Sequence, residues 1–328
     1  LVEKLEDLKS LRTLDVRNNN LDESCGVAFA EKLASHLTIQ SVDFGKNSFG
    51  EQAGLAFGEM LTTNKTILIF IMDKNRLGEE SGVAIATGIA HHPSLHFLRL
   101  SENNFADKSG KRFAVALCTN TCLHVLDLRC NYLGESGTEF GDVLANNTPL
   151  RELYLSKNNV GDVSGAKLGL GLGKNTKLRV LDLTENNLTD KSGVKIGTGL
   201  ETNDSLVTLN LAYNNMGESS GIALLKALTR NHTLKHFNFH ANSLVSPSTI
   251  ASIRFATSST LKNLLSIACV APSQIPVCVV GFNGVGKSRL VDTWRRTTHH
   301  NNASVNVEET EGAKDEQARS RTSGVSVS

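Results

Sequence analysis

The sequence has few aromatic residues, few prolines and no excess of charge of either sign. Aromatic residues make up 5% of its 328 residues, and there are five prolines and one tryptophan. Broad base-stacking surfaces are therefore not expected. Thirty-four basic residues balance 33 acidic ones, so no global charge draws the chain to nucleic acid or to an anionic membrane. No apolar run reaches the length of a membrane span.

Cysteine is also scarce and shows no paired spacing. Cys118 and Cys122 have neither a second such pair nor histidines at zinc-finger spacing. We therefore expect a reduced, cytoplasmic protein with free thiols rather than a disulfide framework. The six cysteines are Cys25, Cys118, Cys122, Cys130, Cys269 and Cys278.

What the chain has in abundance is repetition. The pattern Leu-x-x-Leu-x-Leu-x-x-Asn occurs nine times, with a step of 28 residues everywhere except for one step of 27 between Leu123 and Leu150. A glycine keeps the same period from Gly26 to Gly221. Such self-similarity indicates a repeat architecture. The copies begin at Leu11, Ile39, Ile67, Leu95, Leu123, Leu150, Leu178, Leu206 and Leu234.

Each part of the repeat predicts one element of structure. The Leu-x-Leu core has period two and predicts a short strand with its leucines facing inward. The asparagine ends the strand, where its amide can satisfy buried backbone groups. The segment after it, such as residues 135–147, has apolar residues at helical spacing and predicts a helix. One unit cannot cover its own apolar face, so the copies should stack into an α/β solenoid.

This pattern resembles the leucine-rich repeat, in the long ribonuclease-inhibitor-like class that has a helix in every unit. The resemblance implies a horseshoe-shaped solenoid over residues 1–260, with strands on the concave side and helices outside. Residues 1–10 resemble the end of an earlier repeat's helix, and no polar cap precedes them. We therefore expect further repeats upstream.

Two columns of variable residues should line the concave face, at the positions of Asp15 and Arg17 in each repeat. They mix charges of both signs, so nucleic acid is disfavoured as a ligand. One interpretation is a protein-docking surface with Arg99, Arg129 and Tyr154 as anchors. The other is an ordinary solvated face, and the sequence leaves both open.

A different pattern begins after the ninth repeat. Residues 261–275 lose the repeat asparagine and glycine and are interpreted as a capping segment and linker. An apolar, β-branched run over 277–280 then predicts a buried strand, and residues 276–328 begin a predicted P-loop α/β domain. The motif Gly-x-x-x-x-Gly-Lys-Ser follows this strand directly.

The chemistry of phosphate binding requires these residue types. Glycines allow the backbone N–H groups to surround a phosphate, and the following helix points its positive end at the same anion. Lys287 would contact the β- and γ-phosphates, and the Ser288 hydroxyl would ligate Mg²⁺. The predicted nucleotide-binding residues are Gly281, Asn283, Gly284, Val285, Gly286, Lys287 and Ser288.

The P-loop is similar to that of Ras-like GTPases. Leucine-rich repeats followed by such a domain resemble the Roco family, in which a Roc GTPase domain precedes a COR dimerisation region. The resemblance implies a GTP/GDP and Mg²⁺ site, and a full-length protein able to dimerise. The final residues, RTSGVSVS, resemble the switch I strand of these proteins. By that match Thr322 would be a second Mg²⁺ ligand.

Two departures limit what the resemblance implies. Asn283 stands where Ras-like proteins usually have glycine, and no guanine-specificity motif follows within the chain. We therefore expect this chain alone not to hydrolyse GTP. Two alternatives remain: a pure interaction module like ribonuclease inhibitor or an innate-immune receptor, and an activator of another GTPase, like the Ran GTPase-activating protein.

Overall fold

The structure, a computed structural model, describes residues 2–257, which contain all nine predicted repeats. Each repeat supplies a three-residue strand followed by a helix. The predicted capping segment and linker at 261–275 and the predicted P-loop domain at 276–328 lie outside the described residues. The predicted helical tail before the first repeat is a 3-10 helix over Val2–Asp7, in which Leu5 is buried.

The strands form one parallel sheet in which neighbours in the chain are also neighbours in the sheet. The register places equivalent residues side by side, such as Asp127 beside Tyr154. In the first eight strands the middle residue is buried, as period-two alternation requires. The strands are β1 (Thr13–Asp15), β2 (Ser41–Asp43), β3 (Ile69–Ile71), β4 (Phe97–Arg99), β5 (Val125–Asp127), β6 (Glu152–Tyr154), β7 (Val180–Asp182), β8 (Thr208–Asn210) and β9 (His236–Asn238).

The α-helices pack side by side, each against those of the neighbouring repeats. Their buried apolar residues and the strand leucines form one continuous core. The helices are α1 (Glu23–Ala34), α2 (Glu51–Thr63), α3 (Glu79–Ile89), α4 (Asp107–Thr119), α5 (Gly137–Ala145), α6 (Asp162–Leu172), α7 (Asp190–Thr202), α8 (Glu218–Arg230) and α9 (Pro247–Thr257).

Acidic residues at helix starts join successive repeats. Asp190 opens α7, and its carboxylate accepts hydrogen bonds from the backbone N–H groups of Gly217 (2.9 Å) and Ser220 (2.8 Å) at the start of α8. These N–H groups have no partner within their own helix. Burial raises the pKa of Asp190, but the hydrogen bonds from Ser220 and Gly217 outweigh it and hold this pKa below its ordinary value. The helix α7 therefore caps α8, and Glu51 at the start of α2 caps α3 in the same way through the N–H of Ser81.

The repeat asparagine forms a buried ladder behind the sheet. The Asn186 side chain donates to the carbonyl oxygen of Leu155 at 2.9 Å, in the preceding repeat. Its Oδ1 accepts from the backbone N–H groups of Asn158 (3.0 Å) and Val160 (3.1 Å). Asn186 is 0% exposed, so water cannot replace these bonds. The predicted role of the asparagine in satisfying backbone groups is confirmed.

A second asparagine ladder ends the helices. Asn203, for example, donates to the carbonyl oxygen of Leu172 at 2.8 Å and accepts from the N–H of Leu206 at 2.8 Å. His92 takes this place after α3, and its Nδ1 accepts from the N–H of Leu95 at 3.1 Å. Its Nε2 is buried and has no partner. Burial, assisted by the positive charge of Lys65, lowers the pKa of His92 to about 4, so the ring is neutral at pH 7.

Glycines bring the helices of successive repeats into backbone contact. A methyl group on Gly169 in α6 would lie 2.5 Å from the backbone nitrogen of Ile196 in α7. The periodic glycine found in the sequence has a similar role: a methyl group on Gly165 would lie 2.6 Å from Cβ of Ser192. Only glycine leaves room for this approach.

The single 27-residue step has a structural explanation. Its repeat has one residue fewer between Asn131 and Gly137 than the other repeats have in the equivalent segment. There Gly134–Ser136 forms a 3-10 turn, and α5 begins only at Gly137. Gly134 has φ +52°, a conformation that favours glycine. The missing residue is thus accommodated at the start of α5, while β5 and β6 stay in register.

Candidate functional site

The side of the sheet that faces away from the helices is the candidate functional surface. We refer to it as the strand face. It carries the two residue columns that the sequence predicted, at the positions of Asp15 and Arg17 in each repeat. Six members of these columns are nevertheless buried: Gly45, Asp73, Ser101, Asp127, Ser156 and Ala212. The strand face is therefore a packed polar surface in which several side chains already have their partners.

The three predicted anchors are brought together around one buried carboxylate. Asp127 is 2% exposed and lies between Arg99 of β4 and Arg129, two residues after β5. Arg129 binds it through both branches of its guanidinium, with Nε 2.9 Å from Oδ1 and Nη2 2.6 Å from Oδ2. The Nε atom of Arg99 lies 3.8 Å from Oδ2 of Asp127. Tyr154 of β6 lies beside this pair. We call Arg99, Asp127, Arg129 and Tyr154 the arginine cluster.

Aromatic rings hold both guanidinium groups of the arginine cluster in position. The Arg129 guanidinium carbon lies 5.2 Å from the centre of the Tyr154 ring, and that of Arg99 lies 5.4 Å from the Phe97 ring. The Tyr154 hydroxyl donates to Glu152 at 2.7 Å. Burial and this hydrogen bond raise the pKa of Tyr154, so the phenol stays protonated. Two cations surround a single carboxylate, which leaves the arginine cluster with one net positive charge.

The first three strands carry the opposite charge. Asp43 and Asp73 share Arg17, whose guanidinium nitrogens lie 3.4 Å and 3.5 Å from the two carboxylates. Asp15 adds a further negative charge on β1. This end of the sheet thus carries three carboxylates and one guanidinium. The strand face thus carries net negative charge at β1–β3 and the net positive charge of the arginine cluster beside it, and Asp182 on β7 is negative again.

A second group, of two histidines and two arginines, lies at the N-terminal ends of β4–β7 and was not predicted. We call His96, His124, Arg151 and Arg179 the cationic row. Their backbones form one hydrogen-bonded ladder: His124 N–H donates to His96 O (2.9 Å), Arg151 N–H to His124 O (2.8 Å) and Arg179 N–H to Arg151 O (2.7 Å). The histidine rings lie 5.1 Å apart. The cationic row could have been predicted from the sequence, because each of its four residues directly follows the first leucine of its repeat.

The predicted nucleotide site lies elsewhere in the chain. The residues Gly281, Asn283, Gly284, Val285, Gly286, Lys287 and Ser288, together with Thr322, lie outside the described residues. Within residues 2–257 no group of His, Cys, Asp or Glu side chains is arranged to hold a metal ion. Over the same range, no helix combines the length and the apolar character that crossing a bilayer requires.

Comparison with known families identifies the repeats. The family described as Leucine Rich repeat matches residues 119–139, 146–169, 174–197 and 202–225, which contain β5, β6, β7 and β8. These segments are leucine-rich repeats. The other repeats within residues 2–257 have the same strand, asparagine and helix, although no family match covers them. The comparison with curated proteins gave no match.

Several solved structures are similar to this chain at low identity. The Arabidopsis receptor kinase HAESA ectodomain, solved with an IDA peptide hormone, is 20% identical, with a TM-score of 0.44 over 65% of this chain and 31% of that one. The APL1 leucine-rich repeat domain is 18% identical, with a TM-score of 0.44 over 73% and 58%. Actin-binding site 2 of leiomodin-1 is 20% identical, with a TM-score of 0.35 over 41% and 78%. This chain therefore spans less than two thirds of the HAESA and APL1 chains.

Proposed function

We propose that residues 1–260 form a protein-binding scaffold whose partner docks on the strand face. The arginine cluster carries this proposal. Its side chains are held in place before any partner arrives, so little conformational entropy is lost on binding. Arginine and tyrosine are also the residue types that contribute most at protein interfaces. This is the pure interaction module that the sequence left open.

The proposal can be tested by removing the arginine cluster without destabilising the fold. Removing both arginines alone would leave Asp127 as an unpaired buried charge, which is strongly destabilising. The charges must therefore be removed together. The test variant combines Arg99→Gln, Asp127→Asn, Arg129→Gln and Tyr154→Phe. We expect it to fold and to bind the partner captured by the unsubstituted protein about tenfold more weakly or worse.

A matched control changes charges on the helix side. Glu201 in α7 pairs with Lys226 and Arg230 in α8, and Glu201→Gln with Arg230→Gln removes the partly exposed Glu201–Arg230 pair. The control should capture the partner as well as the unsubstituted protein does. Quantitative mass spectrometry of captured proteins provides the measurement. Full retention of every partner by the arginine-cluster variant would refute docking at this surface.

We further propose that residues 276–328 begin a GTP-binding domain of the Roc type, coupled to the scaffold as in Roco proteins. The motif at 281–288 is the observation that supports this. Lys287 would neutralise the β- and γ-phosphates, and Ser288 and Thr322 would ligate Mg²⁺. The scaffold proposal does not depend on this second one.

The GTP-binding proposal makes a direct prediction. In the full-length protein, Lys287→Ala should weaken binding of fluorescent Mg²⁺-GTP about tenfold or more, because a charge-assisted contact to phosphate is lost. Arg289→Ala removes a neighbouring charge outside the motif and should leave affinity within about twofold. Equal affinities for Lys287→Ala and the unsubstituted protein would contradict the assigned role of Lys287.

A further inference from the structure

The cationic row is unusual because its charges are not neutralised. The ion pairs formed among residues 2–257 include none of its four side chains. The arginines of the arginine cluster, by contrast, both contact Asp127. Arg151 and Arg179 are exposed and follow each other on neighbouring strands, where like charges repel. Neither guanidinium pairs with a carboxylate of the described residues, although Nη1 of Arg179 donates a hydrogen bond to the carbonyl oxygen of Ser205 at 2.6 Å.

The histidines extend the row and show the effect of this charge. Burial, followed by the charges of Arg151 and His96, lowers the pKa of His124. At neutral pH the two arginines therefore carry full positive charge, and the neutral His124 ring adds a hydrogen-bonding group. One His96 ring nitrogen, Nδ1, already lies 3.0 Å from the carbonyl oxygen of Cys122. The row thus offers two full charges and further polar contacts along one line.

We propose that the cationic row is the docking site for an extended acidic segment of the protein partner. This inference rests on the proposed scaffold function. Three strand spacings separate the ends of the row, about 14 Å, which an extended chain covers with about four residues. Glutamate or aspartate side chains of such a segment can reach Arg151 and Arg179 together and form the bidentate pairs that guanidinium groups favour.

The surroundings of the row favour an acidic peptide over a nucleic acid. The neighbouring strand positions are occupied by Phe97, Val125, Glu152 and Val180. Glu152 and, further along β7, Asp182 would repel any negative charge beyond the row, phosphate or carboxylate, and so confine the positive surface to the row. The adjacent apolar side chains Val125 and Val180 are half-buried and suit the apolar residues of a peptide. The positive surface is narrow enough for a single chain.

The test uses a fluorescent, capped hexaglutamate peptide and measures its binding by anisotropy at low ionic strength. We expect the peptide to bind and a hexaglutamine peptide to bind at least about tenfold more weakly. Arg151→Gln combined with Arg179→Gln should weaken hexaglutamate binding about fivefold or more. The matched control combines Arg12→Gln with Lys235→Gln, which removes two exposed charges at the two ends of the same residue column. It should retain affinity within about twofold.

Three results would overturn the inference. The first is that hexaglutamate does not bind. The second is that both double variants weaken hexaglutamate binding equally, which would show a response to net charge alone. A single-stranded oligothymidylate that bound more tightly than hexaglutamate, and lost binding in Arg151→Gln with Arg179→Gln, would assign the row to nucleic acid. The scaffold proposal is tested by a different experiment, the capture of the partner by the arginine-cluster variant. If that variant loses the partner, the scaffold proposal is supported whatever the hexaglutamate experiment shows.

Discussion

Replacing Asn186 with alanine is expected to destabilise the protein by about 3–4 kcal/mol, because several buried polar groups lose their partners at once. The N–H groups of Asn158 and Val160 would lose their acceptor, and the carbonyl oxygen of Leu155 would lose a donor. Asn186 is completely buried, so water cannot enter without opening the repeat. The decrease in the free energy of unfolding should be several times that caused by a typical surface substitution.

Denaturant unfolding followed by circular dichroism measures this difference. Asn104→Ala is the matched control, since Asn104 is an exposed asparagine next to the ladder residue Asn103. We expect this control to change stability by no more than about 0.5 kcal/mol. Equal stabilities of the Asn186 and Asn104 variants would show that the ladder contributes little to the fold.

Gly169→Ala is expected to destabilise the protein by about 1–2 kcal/mol net, the opposite of the usual effect of this substitution. Alanine within a helix is normally more favourable than glycine by about 0.5–1 kcal/mol. Here the new methyl group would lie 2.5 Å from the backbone nitrogen of Ile196, so α6 and α7 would have to separate. Overpacking of this kind costs about 1–3 kcal/mol, and the backbone of α7 cannot rotate away as a side chain could.

A graded comparison tests the cause of this effect. Gly197 has the equivalent place in α7, but a methyl group there would lie 3.0 Å from the nearest backbone carbon, that of Ala223. Gly197→Ala should therefore destabilise less than Gly169→Ala in the same denaturant experiment. If Gly169→Ala were the more stable of the two, close helix approach would not be the reason for glycine at these positions.

The repeats could be predicted almost completely from the sequence. Two leucines at period two, an asparagine three residues after the second leucine and a periodic glycine each correspond to one observed feature: strand, ladder and close contact between repeats. These features depend on local pattern and on a constant step, which a single sequence displays directly. The 3-10 turn at Gly134–Ser136 could be located from the step of 27, but its geometry could not, because several short turns accommodate a missing residue.

The candidate site was only partly predictable. Arg99, Arg129 and Tyr154 do lie together, as their positions in neighbouring repeats indicated. The sequence could not show that Asp127 binds both arginines, because the choice of partner depends on side-chain conformation across strands. The cationic row was missed for a different reason. Arg151 and Arg179 lie just before the strands, outside the two columns taken to face a partner.

The short repeat has a consequence for how this surface can evolve. The missing residue before Gly137 changes the helix side alone, while Asp127 and Tyr154 remain side by side in the sheet. Insertions and deletions between strand and helix can thus accumulate without moving the residues proposed to bind a partner. Single substitutions on the strands can in turn change partner preference without disturbing helix stacking. Recognition and architecture are therefore free to diverge independently in this domain.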